Sequence, residues 1–486
     1  MRKPPVDVKF PDLEPEERSS GGSASIMPCS RTIHLIDTHC HLDMKEFDAD
    51  REEVITRARE AGFDALITVG SDLSGTVRSM ELSELYDFVF AAIGIHPHDA
   101  KDFTGEIFSS LREWSVRKKV VAIGETGLDY HYDHSPREIQ RKVFRRHLEL
   151  AGEADLPVII HSREAEKDTM EILKESGITS GVLHCFSGDR DMAEQAMSMG
   201  FFISLAGPVT FKKSLQLKEI AGAIPDDYLL VETDAPYLTP EPFRGRRNEP
   251  AYMRHTVKLL AELRGVSYED LARITTLNAK RLFRIGPVSE QAEVAYKIRD
   301  SLYLNITNRC TNTCSFCVKF RSDFVKGHKL RLLREPDEEE IKRAIGDPSA
   351  YREIVFCGYG EPLLRLDAVR NVAKWVKDNK GTVRINTNGH ANLIHKRDIL
   401  PELRGIVDSI SISLDAQDEE TYNRLCRPAF RNAYAEILRF IKRAAEVIPH
   451  VQVTVVELPG VDVEKCRRIA TELGANFRLR KYDVVG

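Results

Sequence analysis

Five short apolar segments in the first half of the chain each carry, at or near their C-terminal end, a side chain that can bind a metal ion. Each segment is rich in β-branched residues and closed by polar residues, glycine or proline, which is typical of a strand buried in a parallel sheet. Ligands at the carboxyl ends of parallel strands meet at one mouth of a (β/α) barrel, so the pattern predicts a metal centre there. The segments are residues 36–41 (IDTHCH), 122–127 (AIGETG), 158–162 (VIIHS), 181–185 (GVLHC) and 230–236 (LVETDAP).

Strand-like and helix-like segments alternate over residues 31–285, and this alternation predicts an α/β fold with an N-terminal (β/α)8 TIM-like barrel. Residues 1–30, rich in Pro, Glu, Ser and Gly, are predicted to form a disordered tail, with Met27 left open as the true start. The eight predicted strands begin near Ile33, Ala65, Phe88, Val120, Pro157, Gly181, Phe201 and Leu229.

A second alternation follows a stretch rich in Pro, Ser and Glu, which predicts a linker over residues 286–299. Residues 300–486 contain six predicted strands, too few for a closed barrel of this type, and are expected to form a C-terminal (β/α)6 partial barrel. These strands are residues 302–306, 353–356, 382–386, 409–414, 451–457 and 476–481.

Charge is distributed unevenly between the two parts of the chain. The formal net charge is -5, but the residues from Pro287 onward carry 33 basic and 28 acidic side chains, so the rest of the chain is acidic. The first part is therefore no general polyanion binder, and any nucleic-acid contact there must be local to a site. The nine cysteines, with no signal peptide and no membrane-spanning apolar run, favour reduced thiols, metal binding and a cytoplasmic location without membrane association.

The candidate ligands each have an ordinary structural explanation when taken singly. His39 and His41 share one face of a strand with Asp37 and can grip one ion, but a His-x-His pair alone is weak support. A carboxylate such as Glu125 or Asp234 can cap a helix or turn, and a lone histidine is more often a hydrogen-bonded core residue. Five such coincidences at the same end of five strands favour metal binding.

Residues 33–285 resemble the TatD family of metal-dependent hydrolases, a branch of the amidohydrolase-like barrels. The resemblance implies that His39, His41, Glu125 and Asp234 hold one ion, and that Glu125 bridges to a second ion held by His161 and His184. Two divalent ions, Mg, Mn or Zn, are implied as cofactors. The motifs that carry the resemblance are residues 37–42 (DTHCHL), 94–98 (GIHPH), 124–130 (GETGLDY), 160–163 (IHSR), 184–188 (HCFSG) and 232–237 (ETDAPY).

Two such ions favour hydrolysis, with Asp234 and the bridging Glu125 as catalytic carboxylates and Asp234 as the base that deprotonates the attacking water. His96, in the loop after the third strand, is placed within reach of a phosphate, and Arg163 is predicted to bind a substrate anion; structural packing is the alternative for both. A basic cluster, Arg244, Arg246 and Arg247, either holds phosphates or forms a solvated loop. The family resemblance favours phosphodiester hydrolysis of DNA, and the alternative is a small ester, amide or aminoacyl substrate linked to the second domain.

Three cysteines lie within eight residues of the second part, at Cys310, Cys314 and Cys317, in a polar loop after its first strand. Zinc is the alternative metal for these cysteines, but a structural zinc site usually has four protein ligands. Three thiolates instead suit a cubane cluster with one open iron. Residues 301–482 resemble the radical S-adenosylmethionine superfamily through this motif and through residues 358–362 (GYGEP), although Tyr359 departs from the simplest form of the second motif.

This second resemblance implies a [4Fe-4S] cluster, S-adenosyl-L-methionine, a 5′-deoxyadenosyl radical and an electron donor such as flavodoxin or ferredoxin. The remaining cysteines, Cys426 and Cys466 among them, are expected to be core or incidental residues, with Cys357 beside the glycine motif left open as an exception. The combined prediction is a bifunctional fusion of a dinuclear metallohydrolase and a radical enzyme. The expected cofactor-binding residues are Phe316, Gly358, Gly360, Glu361, Asn388 and Ser413.

Overall fold

The computed structural model describes residues 34–288 and 291–482. Within them the chain forms two large sheets in succession, each with its own apolar core. The predicted tail over residues 1–30 and the question of Met27 lie outside the described residues. No helix in the described ranges is long and apolar enough to cross a membrane.

The first sheet has eight parallel strands in the order β1 to β8, and β1 meets β8 through a parallel bridge between Cys40 and Ala235. Every observed strand begins within two residues of its predicted start, and the (β/α)8 barrel is confirmed. The strands are β1 Leu35–Cys40, β2 Phe63–Val69, β3 Val89–Ile93, β4 Val120–Asp129, β5 Val158–Arg163, β6 Gly181–Leu183, β7 Phe201–Leu205 and β8 Leu229–Val231.

Within residues 34–288, nine α-helices accompany this barrel. They are α1 Arg51–Glu60, α2 Leu73–Leu85, α3 Gly105–Trp114, α4 Arg137–Ala154, α5 Glu166–Ser176, α6 Arg190–Ser198, α7 Leu215–Ala223, α8 Met253–Arg264 and α9 Tyr268–Phe283. Helix α9 lies across the N-terminal ends of the strands. Thr276 donates to the His34 carbonyl before β1, and Asn278 donates to the Leu229 carbonyl at the start of β8. Leu282 and Phe283 join the apolar side chains that fill the barrel, so this end is closed and the carboxyl end is the open mouth.

The second sheet has seven strands in the order β17-β16-β15-β14-β13-β10-β9, of which six are parallel. This confirms the partial barrel. Strand β9 pairs antiparallel with β10 and lies within the segment predicted as a linker, so the sheet starts before residue 300. The strands are β9 Ala295–Ile298, β10 Ser301–Leu304, β11 Phe324–Val325, β12 His328–Lys329, β13 Glu353–Phe356, β14 Val383–Thr387, β15 Ser409–Ser413, β16 His450–Val456 and β17 Asn476–Arg480, with β11 and β12 forming a separate hairpin.

In the described range 291–482, seven α-helices cover one face of this sheet with an apolar layer. The strands alternate, so Ile410 and Ile412 of β15 pack in that layer while Ser409, Ser411 and Ser413 point to the concave face. The helices are α10 Glu338–Ile345, α11 Leu366–Asp378, α12 Ala391–His395, α13 Leu400–Leu403, α14 Glu419–Cys426, α15 Ala433–Val447 and α16 Val463–Glu472.

The two barrels meet at the closed end of the first one. Asp226, buried before β8, accepts from Arg264 at 2.5 Å and from Lys326 of the β11–β12 hairpin at 2.6 Å. Arg273 of α9 donates to the Lys326 carbonyl at 2.8 Å. The open mouth of the first barrel therefore faces away from the second domain.

Candidate functional site

Four histidines and two carboxylates converge at the open mouth of the first barrel. His39 belongs to β1, His41 directly follows it, Glu125 lies within β4 and His161 within β5, while His184 and Asp234 follow β6 and β8. These are the six side chains that the sequence predicted as metal ligands. Strand β4 continues past Glu125 to Asp129, so Glu125 is an internal strand residue and does not end the strand.

Glu125 stands between two pairs of histidines, with one carboxylate oxygen toward each pair. Its Oε2 lies 3.4 Å from His39 Nε2 and 3.7 Å from His41 Nε2. Its Oε1 lies 3.0 Å from His161 Nδ1 and 2.8 Å from His184 Nε2. This is the placement that a carboxylate bridging two ions requires.

Asp234 lies beside the first pair of histidines, His39 and His41. Its Oδ1 lies 3.3 Å from His41 Nε2 and 3.7 Å from His39 Nε2. Its backbone N–H donates to the His39 carbonyl at 2.9 Å, which fixes the segment after β8 against β1. Three overlapping sets of possible ligand atoms lie within 4.8 Å of one another; they are His39, His184 and Asp234; His39, His41 and Glu125; and His96, Glu125 and His161.

Hydrogen bonds on the outer side of the histidines aim their lone pairs at the centre. His41 Nδ1 lies 2.7 Å from the Val69 carbonyl and His161 Nε2 lies 3.0 Å from Asp129 Oδ2, so each of these nitrogens carries the proton. The inner nitrogens of His39 and His41, both Nε2, lie 3.2 Å apart and face the carboxylates of Glu125 and Asp234. Imidazole nitrogens and carboxylates that converge this closely form a donor set that fits divalent metal ions.

Two carboxylates behind the histidines were not singled out from the sequence. Asp129 also faces His98 Nε2 at 3.1 Å, and Glu232 lies 3.3 Å from His184 Nδ1 while accepting the Cys185 backbone N–H at 2.6 Å. Both stand inside the quoted motifs. Side chains an even number of residues apart on a strand share a face, so the separation of four residues between Glu125 and Asp129 on β4 was the sequence signal that could have identified Asp129.

Gly127 explains how closely β4 approaches β5. A Cβ on this residue, whose φ is +134°, would lie 2.0 Å from the His161 carbonyl oxygen. Any larger side chain would push the strands apart and separate Glu125 from His161.

Burial and charge set the protonation of the site. Burial raises the pKa of Glu125, but His184 and His96 outweigh it and hold that pKa well below its usual range. Burial opposes protonation of His41, but Asp234 and Glu125 raise its pKa to about 9. Burial also raises the pKa of Asp234, and the neighbouring histidines, His41 first, bring it below the ordinary value. Both carboxylates are therefore charged near neutral pH.

His96 lies beside the centre with its Nε2 3.4 Å from Glu125 Oε1. Its Nδ1 accepts the His98 backbone N–H at 3.2 Å, so a neutral His96 carries its proton on Nε2 and points it inward. Burial lowers the pKa of His96 to about 4, which keeps the ring neutral near pH 7.

The rim of the mouth carries exposed basic and aromatic side chains. Arg163 is exposed and stacks 4.8 Å from the centre of the Tyr132 ring, which is 51% exposed. Tyr237, 49% exposed, lies 6.3 Å from the His41 ring centre. Arg244 is exposed over Phe211.

The predicted basic cluster is not uniform. Arg246, like Arg244, is exposed on an aromatic ring, here that of Phe243. Arg247 donates two hydrogen bonds of 2.7 Å to the Asp50 carboxylate, so its role is to stabilise the fold.

The three motif cysteines follow β10 in a half-buried loop. Cys310 Sγ accepts the Asn312 backbone N–H at 3.4 Å and the Asn388 amide at 3.7 Å. Burial raises the pKa of Cys310 to about 11 and also raises the pKa of Cys317. Thiols in a half-buried loop, one of them already receiving N–H donors, fit a cluster that binds thiolates.

The loop is held by the end of α14. Ser315 N–H donates to the Leu425 carbonyl at 2.9 Å and Thr313 N–H to the Cys426 carbonyl at 3.1 Å. The Cys426 thiol lies close to Cys314, and this neighbour, followed by burial, raises the Cys426 pKa far above its usual range. Cys426 therefore lies close to the motif, which its position in the sequence did not indicate.

Glu361 of the glycine motif is turned into the protein. Its carboxylate accepts from the Thr387 hydroxyl at 2.9 Å and from the Asn388 backbone at 2.7 Å, and burial raises its pKa to about 7. These bonds tie the loop after β13 to the end of β14, and the expected contact of Glu361 with the cofactor stays a prediction.

The motif glycines have a packing role. A Cβ on Gly358 would lie 2.3 Å from Asn305 Oδ1, and one on Gly360 would lie 2.3 Å from the Arg309 carbonyl. The absence of a Cβ at both positions lets the segment that leads into the cysteine loop pack closely, and the expected contact of the glycines with the cofactor stays a prediction.

The remaining expected cofactor residues surround the same end of the sheet. Phe316, between the cysteines, packs against the second core. Asn388 donates to Thr311 at 2.8 Å, next to Cys310. Ser413, the last residue of β15, lies 3.5 Å from the Thr454 hydroxyl on the concave face.

Comparisons with known proteins agree with this division. The family described as TatD related DNase matches residues 36–284, and the radical SAM superfamily matches residues 304–473. An uncharacterised metal-dependent hydrolase of Bacillus subtilis, YabD, is 51% identical over 254 residues, covering 52% of this chain and all of that protein. The 3′-5′ ssDNA/RNA exonuclease TatD of Erwinia tasmaniensis is 38% identical over 259 residues, covering 52% of this chain and all of that protein.

Among solved structures, the TatD homologue YjjV of Escherichia coli is 32% identical, with a TM-score of 0.50, and the match covers 52% of this chain and 98% of that one. The matched region is the first barrel with its six converging ligands. The chain therefore belongs to the TatD family of metal-dependent hydrolases, and its second half is a radical SAM domain.

Proposed function

We propose that the chain is a bifunctional enzyme whose first barrel hydrolyses phosphodiester bonds of DNA with two divalent metal ions. The observation that carries the proposal is Glu125, whose two oxygens each face a separate pair of histidines. Two bound ions would supply an activated water and neutralise charge on the attacked phosphate.

The residues of the chain divide the remaining work. Asp234 is charged, lies at the mouth and is the candidate to take the proton of the attacking water and return it to the leaving oxygen. The inward N–H of neutral His96 can donate to a non-bridging phosphate oxygen. Arg163 stands on the exposed rim, where its fork of N–H groups can hold a second phosphate.

The rim favours a nucleic acid over a small ester. Tyr132 and Tyr237 are half exposed and offer flat faces for unpaired bases, while Arg163 and Arg244 lie exposed for the backbone. The relative from Erwinia tasmaniensis that is described as an exonuclease of single-stranded DNA and RNA supports the same substrate.

The second barrel is proposed to bind a [4Fe-4S] cluster through Cys310, Cys314 and Cys317. The cluster with S-adenosyl-L-methionine would supply a 5′-deoxyadenosyl radical, using an electron from a donor such as flavodoxin or ferredoxin. The loop bonds to α14 and the Glu361 bonds to β14 support this proposal, because they hold the cysteines at the carboxyl end of the sheet. Such a cluster, with reduced thiols, agrees with a cytoplasmic location.

A direct transfer of a small ester between the two sites has less support. The barrels meet at the closed end of the first one, around Asp226 and Lys326. A product of either site must therefore pass through solvent.

The hydrolase is tested with end-labelled single-stranded DNA, the matching duplex and a p-nitrophenyl ester, each with Mg, Mn or Zn. We expect single-stranded DNA to be shortened and Glu125→Gln to abolish this. The control Asp133→Asn changes an exposed carboxylate of the same barrel that pairs with Arg137. Cleavage of the ester with no action on DNA would reverse the choice of substrate.

The radical half is tested by anaerobic reconstitution with iron and sulfide, followed by reduction with S-adenosyl-L-methionine. We expect 5′-deoxyadenosine from the native protein and none from Cys314→Ala. Cys466→Ala is the matched control, since Cys466 is buried in α16, whereas Cys426 lies close to Cys314. Zinc binding without iron, or product from Cys314→Ala, would refute the assignment.

A further inference from the structure

The interiors of the two barrels differ in kind. The first barrel is filled by apolar side chains such as Ile36, Ile67 and Val121, and α9 seals its end. The concave face of the second sheet is polar along its whole width. It presents Tyr303 from β10, Arg384 from β14, Ser411 from β15, Gln452 from β16 and Arg478 from β17.

A cavity of about 760 Å³ occupies this concave face. Its size falls within the range of about 300–1,000 Å³ that ligand pockets have. It lies at the N-terminal ends of the strands, and Val266 and Asp270 of the first half form part of its wall. A cavity of this size between two domains, lined by apolar residues such as Val266 and Ile298 together with several charged side chains, is a place for a ligand.

The charges around the cavity do not cancel. Arg384 is balanced by Glu353, to which its Nε donates at 3.0 Å, and Asp270 is balanced by Arg273. Asp300 is the one carboxylate of the lining without a side-chain partner in residues 34–288 and 291–482. Three lining guanidinium groups have no hydrogen bond or ion pair in the same residues: Arg299, Arg352 and Arg478. All three are exposed in the cavity wall, so their guanidinium groups are available to bind an anion.

The strand register connects this cavity with the cofactor end of the sheet. Ser413 pairs with Thr454, and Thr454 pairs with Arg478. The three residues therefore form one row across the concave face, about 5 Å from strand to strand. Ser413, a residue expected to bind the cofactor, therefore lies two strands from Arg478 and outside the lining of the cavity.

We infer that this cavity binds a small anionic molecule through a phosphate or carboxylate group held by Arg478. The cavity lies at the N-terminal ends of the strands, whereas the cysteine loop lies at their carboxyl ends, so this is a second ligand site of the domain, separate from the proposed radical reaction. The first barrel then contributes a wall to the pocket of the second.

The test is arginine labelling with phenylglyoxal, read by peptide mass spectrometry on the full-length protein, with inorganic phosphate or succinate added at constant ionic strength. Arg468, exposed on α16 and without a partner in the described ranges, is the internal control. At about ten times the dissociation constant, a bound anion should slow labelling of Arg478 about tenfold. Labelling of Arg468 should not change.

Protection of Arg478 by either anion supports the site, and the stronger anion identifies the group that it prefers. Equal labelling of Arg478 and Arg468 under both anions overturns it. The same preparation is assayed for 5′-deoxyadenosine, which separates the two proposals. If 5′-deoxyadenosine forms but Arg478 is not protected from labelling, the anion site is refuted and the radical reaction is retained. If Arg478 is protected but no 5′-deoxyadenosine forms, the radical reaction is refuted and the anion site is retained.

Discussion

Asp129→Asn is the sharpest probe of the metal centre, because Asp129 touches one half of it. Its Oδ2 faces His161 Nε2 at 3.0 Å and His98 Nε2 at 3.1 Å, while Oδ1 accepts the Tyr132 backbone N–H at 2.8 Å. Burial raises the pKa of Asp129, but the His161 hydrogen bond and the Tyr132 N–H outweigh it and bring that pKa below its usual range. The carboxylate is therefore charged at any pH suited to a metal titration.

An asparagine would keep one oxygen for the backbone and place an amide N–H₂ toward His161. The imidazole would then move its proton to Nδ1, the nitrogen that faces Glu125, and lose the lone pair that it offers to an ion. Changes to such orienting partners cost about 10–100-fold in metal affinity. This corresponds to about 1.4 to 2.8 kcal/mol for the ion beside His161.

The assay is equilibrium metal content in buffered free zinc or manganese, measured for native protein, Asp129→Asn and the control Asp133→Asn. We expect one ion to weaken in Asp129→Asn, while the ion beside His39 and His41 keeps its affinity. Asp133→Asn should match the native protein. Equal weakening of both ions, or native affinity for both, would refute the reasoning.

Four further outcomes are expected. Glu125→Gln should lower the occupancy of both ions, measured by metal analysis, because each carboxylate oxygen serves one histidine pair. Asp234→Asn should abolish turnover of labelled DNA while leaving the circular dichroism spectrum intact. Cys314→Ala should lose the iron absorbance and leave the hydrolase rate unchanged, since the sites lie in separate barrels. Asp226→Ala should destabilise the protein by about 3–5 kcal/mol in urea, because it removes the buried carboxylate that pairs with both Arg264 and Lys326. Since charged partners hold the pKa of Asp226 below its ordinary value, its contribution is present above about pH 4 and is lost as the pH falls further.

The sequence by itself determined both fold types and the candidate ligands. Buried parallel strands appear in a sequence as short apolar runs, so the starts of the eight strands of the first barrel could be predicted to within two residues. Ligand types at the ends of those runs, such as His161 and Asp234, are local features, and so is the cysteine spacing that begins at Cys310. Such local patterns can be recognised in a sequence because residues that are close together along the chain belong to the same strand or loop.

Only the tertiary structure decided which residues meet across the chain. Asp129 and Glu232 became orienting groups because strand pairing brings them behind His161 and His184. Glu361 turned out to hold the end of β14, which depends on a partner far along the chain. Three other features also depend on distant partners. They are the proximity of Cys426 to the cysteine loop, the attachment of the β11–β12 hairpin to the closed end of the first barrel, and the cavity between the two barrels. Such pairings depend on packing between distant segments, and no period or spacing within one segment records them.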